Sequence, residues 1–283
     1  MTPTDILNKV KNLPPVSQAA LKLVSLLEQA EISNDEVVQA IRCDSVLTAK
    51  LLRACNSPYF GLAEPVATVD QAVLILGHQQ ILHIVLTLAF GSTMIVPQAG
   101  YAAEAAALWQ HSLVTATAAE IVAAETYDLQ IEGAIAFTVG LLHDIGKLAI
   151  SQGVAPELQA KIREQITNEK ISRSAAEKLI IGTDHGEVGG ALLKSWRLPA
   201  NVIEAVANHH RPPLEPVPKL SAITHVANCL AHLASPSVED DPTAGTVDPQ
   251  VAAALNFDGN RIAGMVDTVR EAAASMSQMM ATV

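Results

Sequence analysis

His143 and Asp144 stand side by side in the stretch Phe137 to Ile150, which is otherwise largely apolar. An ionised carboxylate in such surroundings is costly unless a metal ion, a basic partner or a raised pKa compensates it. Four further histidine positions, His111, His185, His209 and His210, could converge on the doublet. Neutral imidazoles together with a carboxylate are ligands for first-row divalent metals. Read singly, each histidine has a plainer account. His111 fits a satisfied core histidine, His185 an exposed helix start, and His209 and His210 partners for the negative end of a helix. The doublet resists that treatment, and the five histidines with Asp144 point together to a metal-capable site or a polar network. His78, His83, His225 and His232 have no such context and read as surface or packing residues. Lys147 by itself reads as a solvated lysine.

The elements that must position these groups are helical. Residues 5–12 read as a short helix ended by Leu13-Pro14-Pro15, and Val16 to Ala30 as an amphipathic one with Ala20, Leu23, Val24 and Leu27 on one face. Ser33-Asn34-Asp35-Glu36 and Thr68-Val69-Asp70-Gln71 are capping boxes, opening helices that run through Cys43 and to Gly77. Between them a helix carries Val46, Leu47, Leu51 and Leu52 and stops at Asn56-Ser57-Pro58. Ile81 to Phe90 reads as a buried helix.

Residues 104–124 form a helix on which His111 shares a face with Leu108, Thr115, Ala118 and Val122, so it points inward. The His-Asp stretch is read as one helix and 157–180 as one charged helix. Asp184 is the N-cap of a helix reaching Trp196, and the next runs from Ala200 to His209-His210, stopped by Pro212-Pro213. Lys219 to Ala234 is helical. An acidic Pro/Ser/Thr-rich segment, about 236–249, reads as a mobile loop, and Val251 to Met280 as a helical segment punctuated near Asp258-Gly259. The class is all-α, divided into an N-terminal helical lobe at 1–100 and a second lobe at 101–283.

Composition agrees and excludes. Apolar residues are 49% and aromatics 3%, so a large core must be built from Ala, Leu, Val and Ile, which favours helix. The net charge of −11 lacks the footprint of a nucleic-acid binder. The basic cluster Lys161, Arg163, Lys170, Arg173 and Lys178 is interleaved with Glu164, Glu169 and Glu177 and reads as a solvated face. Cys43, Cys55 and Cys229 form no CxxC pair and suit a reduced cytoplasm as small core fillers. The apolar run Ile81 to Phe90 is too short to span a bilayer, and no signal-peptide core is evident. The expectation is a soluble cytoplasmic protein.

The run LPPVSQAALKLVSLLEQAEISNDEVVQAIRCDSVLTAKLLRACNSPYFG, followed by TVDQAVLILGHQQI, resembles the N-terminal half of the HDOD family. These are bacterial all-helical domains related to HD-type phosphohydrolases, and the resemblance spans roughly Leu13 to His210. In HD-type phosphohydrolases a first histidine, the His-Asp doublet and a later aspartate hold a metal, and two-metal relatives add further histidines. The resemblance implies His111 as the first histidine, His143 and Asp144 as the doublet, His185 as the histidine opening a later helix, and His209 and His210 as the paired histidines. Lys147 matches a lysine that can meet a phosphate.

Asp44-Ser45 stands where the family often has Asp-Pro, a small departure, and two others touch the site. Asn228 stands where the family has aspartate, which removes a negative charge beside the implied metal. Arg211-Pro212-Pro213 follows the paired histidines where HD-GYP phosphodiesterases continue with Glu and a Gly-Tyr-Pro segment. The leading expectation is a regulatory HDOD module of bacterial signal transduction. It would bind a signalling protein or a nucleotide second messenger, without direct nucleic-acid or membrane contact, and hold one or two divalent ions (Fe, Mn, Zn or Ni) if the site is intact. The alternative is a metal-dependent phosphohydrolase in which Asp144 and Lys147 are catalytic.

Overall fold

The computed structural model describes residues 1–10, 16–27, 29, 32–94, 102–126, 131–235 and 241–281. Every regular element among them is helical, so the all-α expectation holds. Leu13-Pro14-Pro15 and the first part of the acidic segment, 236–240, lie outside the described residues.

The chain begins with α1 (Pro3–Leu7), α2 (Gln18–Leu26), α3 (Asn34–Arg42), α4 (Ser45–Cys55) and α5 (Val69–Leu76). Ser33 and Glu36 form the reciprocal capping box at α3. At α5 only half of the box forms: Thr68 accepts from the Gln71 amide, while the Gln71 side chain accepts from Ala67 instead. Then come α6 (His78–Met94), buried on nearly every face, and the long α7 (Ala102–Glu125).

The His-Asp stretch is two helices rather than one, α8 (Gly133–Leu142) and α9 (Ile145–Gly153), with the doublet at the break between them. The expected single helix is corrected here. Its apolar composition hid the break, because α8 is buried on all sides up to the doublet. By length and hydropathy Gly133–Gly153 could cross a membrane, but 89% of that window is buried inside the protein as a core element.

The charged segment also divides, into α10 (Pro156–Glu169) and α11 (Arg173–Ile181). Lys170 takes a left-handed conformation at φ 51° and Ser172 caps the new start by accepting from the Ala175 amide. The remaining helices are α12 (His185–Ser195), α13 (Ala200–Asn208), α14 (Lys219–Ala234), α15 (Pro249–Ala254) and α16 (Gly259–Ala281).

Two apolar clusters result. The larger runs from α2 through α8 and on through α12 to α16, and the smaller joins Ile6, Ala149, Ile150, Val154, Ile162, Ile166, Ala176, Ile181 and Val188. The His-Asp break lies at the join, since Leu142 and Ile145 belong to the larger cluster and Ala149 and Ile150 to the smaller. Two glycines let other helices close on it. A Cβ at Gly140 would lie 2.7 Å from the Ala116 Cα, and one at Gly146 would lie 1.8 Å from the His185 carbonyl oxygen. Glycine is required at both places by the close approach of α7 and α12.

Candidate metal centre

Those two approaches deliver the donors. α7 brings His111 within 3.7 Å (Nε2 to Oδ2) of Asp144, and the start of α12 brings His185 within 3.2 Å (Nε2 to Oδ1). The turn after α13 adds His209, 3.8 Å from Oδ1, and His210, whose Nε2 lies 2.7 Å from His185 Nε2. His143 Nε2 is 3.3 Å from Oδ2 of its own neighbour. All six expected residues therefore meet. His111, His143, Asp144, His185 and His209 are buried and His210 is half-buried.

The orientation of the rings is fixed from behind. His143 Nδ1–H donates to the Gly140 carbonyl at 2.7 Å and His209 Nδ1–H to the Val206 carbonyl at 2.8 Å. Each ring therefore turns an Nε2 lone pair inward, and neither Nε2 has a hydrogen-bond partner. Neither oxygen of Asp144 has a hydrogen bond of good geometry, although Lys147 Nζ stands 2.8 Å from Oδ2. Lone pairs of imidazole and carboxylate facing one another in a dry interior repel, and a cation among them removes the conflict. The donor set falls into two groups that share Asp144: Asp144 with His185, His209 and His210, and Asp144 with His111 and His143. The chain thus holds a buried His/Asp group able to bind metal, and the donor chemistry fits a first-row divalent ion.

Electrostatics separate the two groups. Burial pushes the Asp144 carboxyl up, but the adjoining His143 ring and the Lys147 ammonium outweigh it and hold the group well below the usual carboxylate range. Burial pulls His209 and His210 down, so both are neutral. His185 is the exception: against the effect of burial, Glu177 raises it to about 9. Glu177 Oε2 accepts both the His185 Nδ1–H at 2.6 Å and the His185 backbone N–H at 2.8 Å. The expectation that Glu177 belongs to a solvated face is corrected, since it is buried. Its signal was present in the sequence, eight residues before His185, but the apparent single helix over 157–180 concealed it.

The other group is altered by Asn228. His111 Nε2 shares a 2.9 Å hydrogen bond with Asn228 Oδ1, and with the amide oxygen facing it the ring nitrogen is the donor. Burial lowers His111 to about 3 and leaves its ring neutral. His232, read from sequence as a surface or packing residue, lies over His111 with ring centroids 4.4 Å apart. Lys147 is not the solvated lysine expected of it alone, its side chain being only 13% exposed. His225 is a packing residue: Nδ1–H donates to the His209 carbonyl and Nε2 accepts from the Asp248 amide. Cys55 and Cys229 are core fillers, whereas Cys43 is exposed.

Comparison with known proteins places this geometry. A family model described as HDOD domain matches residues 13–212. A crystal structure of an HDOD domain protein of unknown function from Geobacter sulfurreducens superposes with a TM-score of 0.73 at 26% identity, covering 98% of this chain and 96% of that one. A structure from Shewanella amazonensis named as a candidate phosphohydrolase gives 0.69 at 25% identity, with 97% of each chain covered. One from Marinobacter aquaeolei named as a candidate signal transduction protein gives 0.77 at 21% identity, covering 98% of this chain and 64% of that one, a likeness of fold. An uncharacterised protein of Treponema pallidum is 25% identical over 222 residues, and the match spans only 42% of its length.

Proposed function

The chain belongs to the HDOD domain family, and on that premise we propose that it is a regulatory module of bacterial signal transduction that holds a divalent metal at Asp144 and acts by binding a protein partner or a nucleotide. The observation that carries this reading is the asymmetry of the centre. One half, Asp144 with His185, His209 and His210, has its donors complete and Glu177 behind His185. The other half has His111 engaged with an amide, Asn228, at 2.9 Å, where an anionic ligand would be needed. Two ions clamping a phosphodiester need both halves. The half that one-metal HD-type phosphohydrolases use, His111 with the doublet and a later aspartate, is the one that Asn228 weakens, and this favours binding over turnover. When bound, the ion would supply Lewis-acid chemistry. The residues around it supply orientation: Gly140 and Val206 carbonyls fix His143 and His209, and Glu177 fixes His185.

The second reading, a metal-dependent phosphohydrolase, draws on Lys147. Its ammonium is 2.8 Å from Asp144 Oδ2 and could meet a phosphate oxygen at the edge of the centre. The similarity to the Shewanella amazonensis protein is compatible with it.

Elemental analysis of untagged protein, with an assay of cyclic dinucleotides and simple phosphodiesters in added manganese or iron, separates the two. The expected result is about one bound divalent ion per chain and no multiple turnover. Protein that neither carries metal nor takes it up on reconstitution would sink the metal reading. Turnover abolished by Asp144→Ala would establish the enzyme instead.

A further inference from the structure

Residues 241–248 are the described part of the acidic segment that sequence reads as a mobile loop, and none of them belongs to the donor set of the Asp144 centre. They are nonetheless fastened at both ends to elements that support its complete half. At one end Asp241 Oδ2 accepts from the Arg173 backbone N–H at 2.8 Å, at the first residue of α11. The same carboxylate is held by its own turn, since Oδ1 accepts from the Thr243 N–H at 2.9 Å and from its hydroxyl at 2.8 Å. One turn further along α11 stands Glu177, which orients His185. At the other end the Asp248 N–H donates to His225 Nε2 at 3.1 Å, and His225 Nδ1–H donates to the His209 carbonyl at 2.9 Å. An amide that can only donate on one side, and a carbonyl that can only accept on the other, fix this ring in one tautomer. Between the ends the Cys229 S–H donates to the Thr246 carbonyl at 3.3 Å, and Val247 packs on the larger apolar cluster.

We propose, resting on the metal reading of that centre, that residues 241–248 are a strap whose seating and metal occupancy stabilise each other. Seated, the strap holds α11 and the turn after α13 where His185 and His209 can reach a metal. A metal bound by those two rings holds the strap seated in return. Asp241 and His225 are then positioning residues, acting on the centre through other groups. The two latches converge on one half of the centre: Asp241 leads through α11 and Glu177 to His185, and Asp248 leads through His225 to His209. The strap is also built to lift. Every residue in it is half-buried or exposed, so polar latches hold it more than burial does. A segment held in that way can open without unfolding the rest. Coupling between two sites is reciprocal, so whatever lifts the strap lowers metal affinity, and metal protects the strap.

The test uses the full chain, stripped with a chelator or loaded with Zn²⁺, with zinc counted by elemental analysis. Amide hydrogen exchange is read by mass spectrometry on peptides covering 241–248. Zinc is expected to slow exchange there by about fivefold or more, and the slowing is expected to vanish in His185→Ala, which lacks a ligand. Asp241→Ala removes the acceptor at one end and is expected to weaken zinc binding by about fivefold or more. His225→Phe should do the same from the other end, while Asp241→Asn, which keeps an acceptor oxygen, should stay closer to the parent. His225 is buried and its replacement could disturb folding, so Asp241→Ala decides. A strap that only props the fold would lower the denaturant midpoint of chelator-treated Asp241→Ala and leave its zinc affinity at the parent value. That result, equal exchange with and without zinc, or slowing that persists in His185→Ala would overturn the proposal and leave the metal reading standing. A parent that takes up no zinc would sink the metal reading, and the strap with it.

Discussion

Asn228 and Glu177 are the two single residues on which the chemistry of the Asp144 centre turns. Asn228→Asp would place an anion 2.9 Å from where His111 Nε2 now hydrogen-bonds and complete the weaker half of the donor set. The expected outcome is uptake of a further metal equivalent, with about tenfold or tighter binding in that half, read by elemental analysis against free-metal concentration. The same variant stripped of metal should be less stable than the parent, because two carboxylates then face each other without a cation. Glu177→Gln acts from the other side. It removes the charge that orients His185 and should weaken metal binding by about 10- to 100-fold, measured by calorimetric titration with Zn²⁺. Unchanged affinity would mean that Glu177 only caps α12 through the His185 amide.

Between elements, closeness is set by the smallest side chains. α8 can meet α7, and α9 can meet α12, only because Gly140 and Gly146 carry no Cβ. Gly146→Ala would drive a methyl group into the His185 carbonyl, an atom of the backbone that cannot turn aside. We expect a loss of about 3 kcal/mol or more, at the upper end of overpacking costs, seen as a lower denaturant midpoint. Metal content should fall with it, since the start of α12 would be pushed away from Asp144. A variant that kept both stability and metal would show that α9 and α12 can separate without opening the centre. The divided charged segment acts at the same scale: the turn at Lys170 lets α11 lie back so that Glu177 faces His185 rather than solvent.

For the molecule as a whole, a proton on His185 and a metal bound at the Asp144 centre would compete for one interior position. In the metal-free chain Glu177 raises His185 to about 9, above the ordinary histidine value of 6.5. Its bound proton contributes stability that is fully present below pH 6.5 and is lost as pH rises through about 9. A metal at the same nitrogen needs that proton to leave, so binding should release about one proton at pH 7 and tighten as pH rises toward 9. Calorimetry in buffers of different ionisation enthalpy measures the release. Denaturant midpoints at pH 6 and pH 9 measure the linkage: the chelator-treated protein should weaken across that range, and the zinc-loaded protein should not. Equal slopes for the two forms would remove His185 from the ligand set.

The helices and their caps were legible in the sequence because they depend on local rules. Side-chain oxygens cap nearby amides, as Ser33 and Asp184 do, and apolar spacing at 3.6 residues declares a buried face, as on α2 with Ala20, Leu23, Val24 and Leu27. The HDOD resemblance carried the histidine set residue by residue, and the all-α class followed from the same local signals. Tertiary structure alone decided the rest. The break at His143-Asp144 cannot be read from periodicity, because α8 is buried all round and an apolar helix of that kind has no face to betray where it ends. Glu177 looked like one charge of a solvated face until α11 turned it onto His185. Sequence fixes what each segment can form by itself. Which lone pairs end up facing one another depends on how closely separate helices approach, and here that approach was set by glycines whose contacts lie far away in the chain.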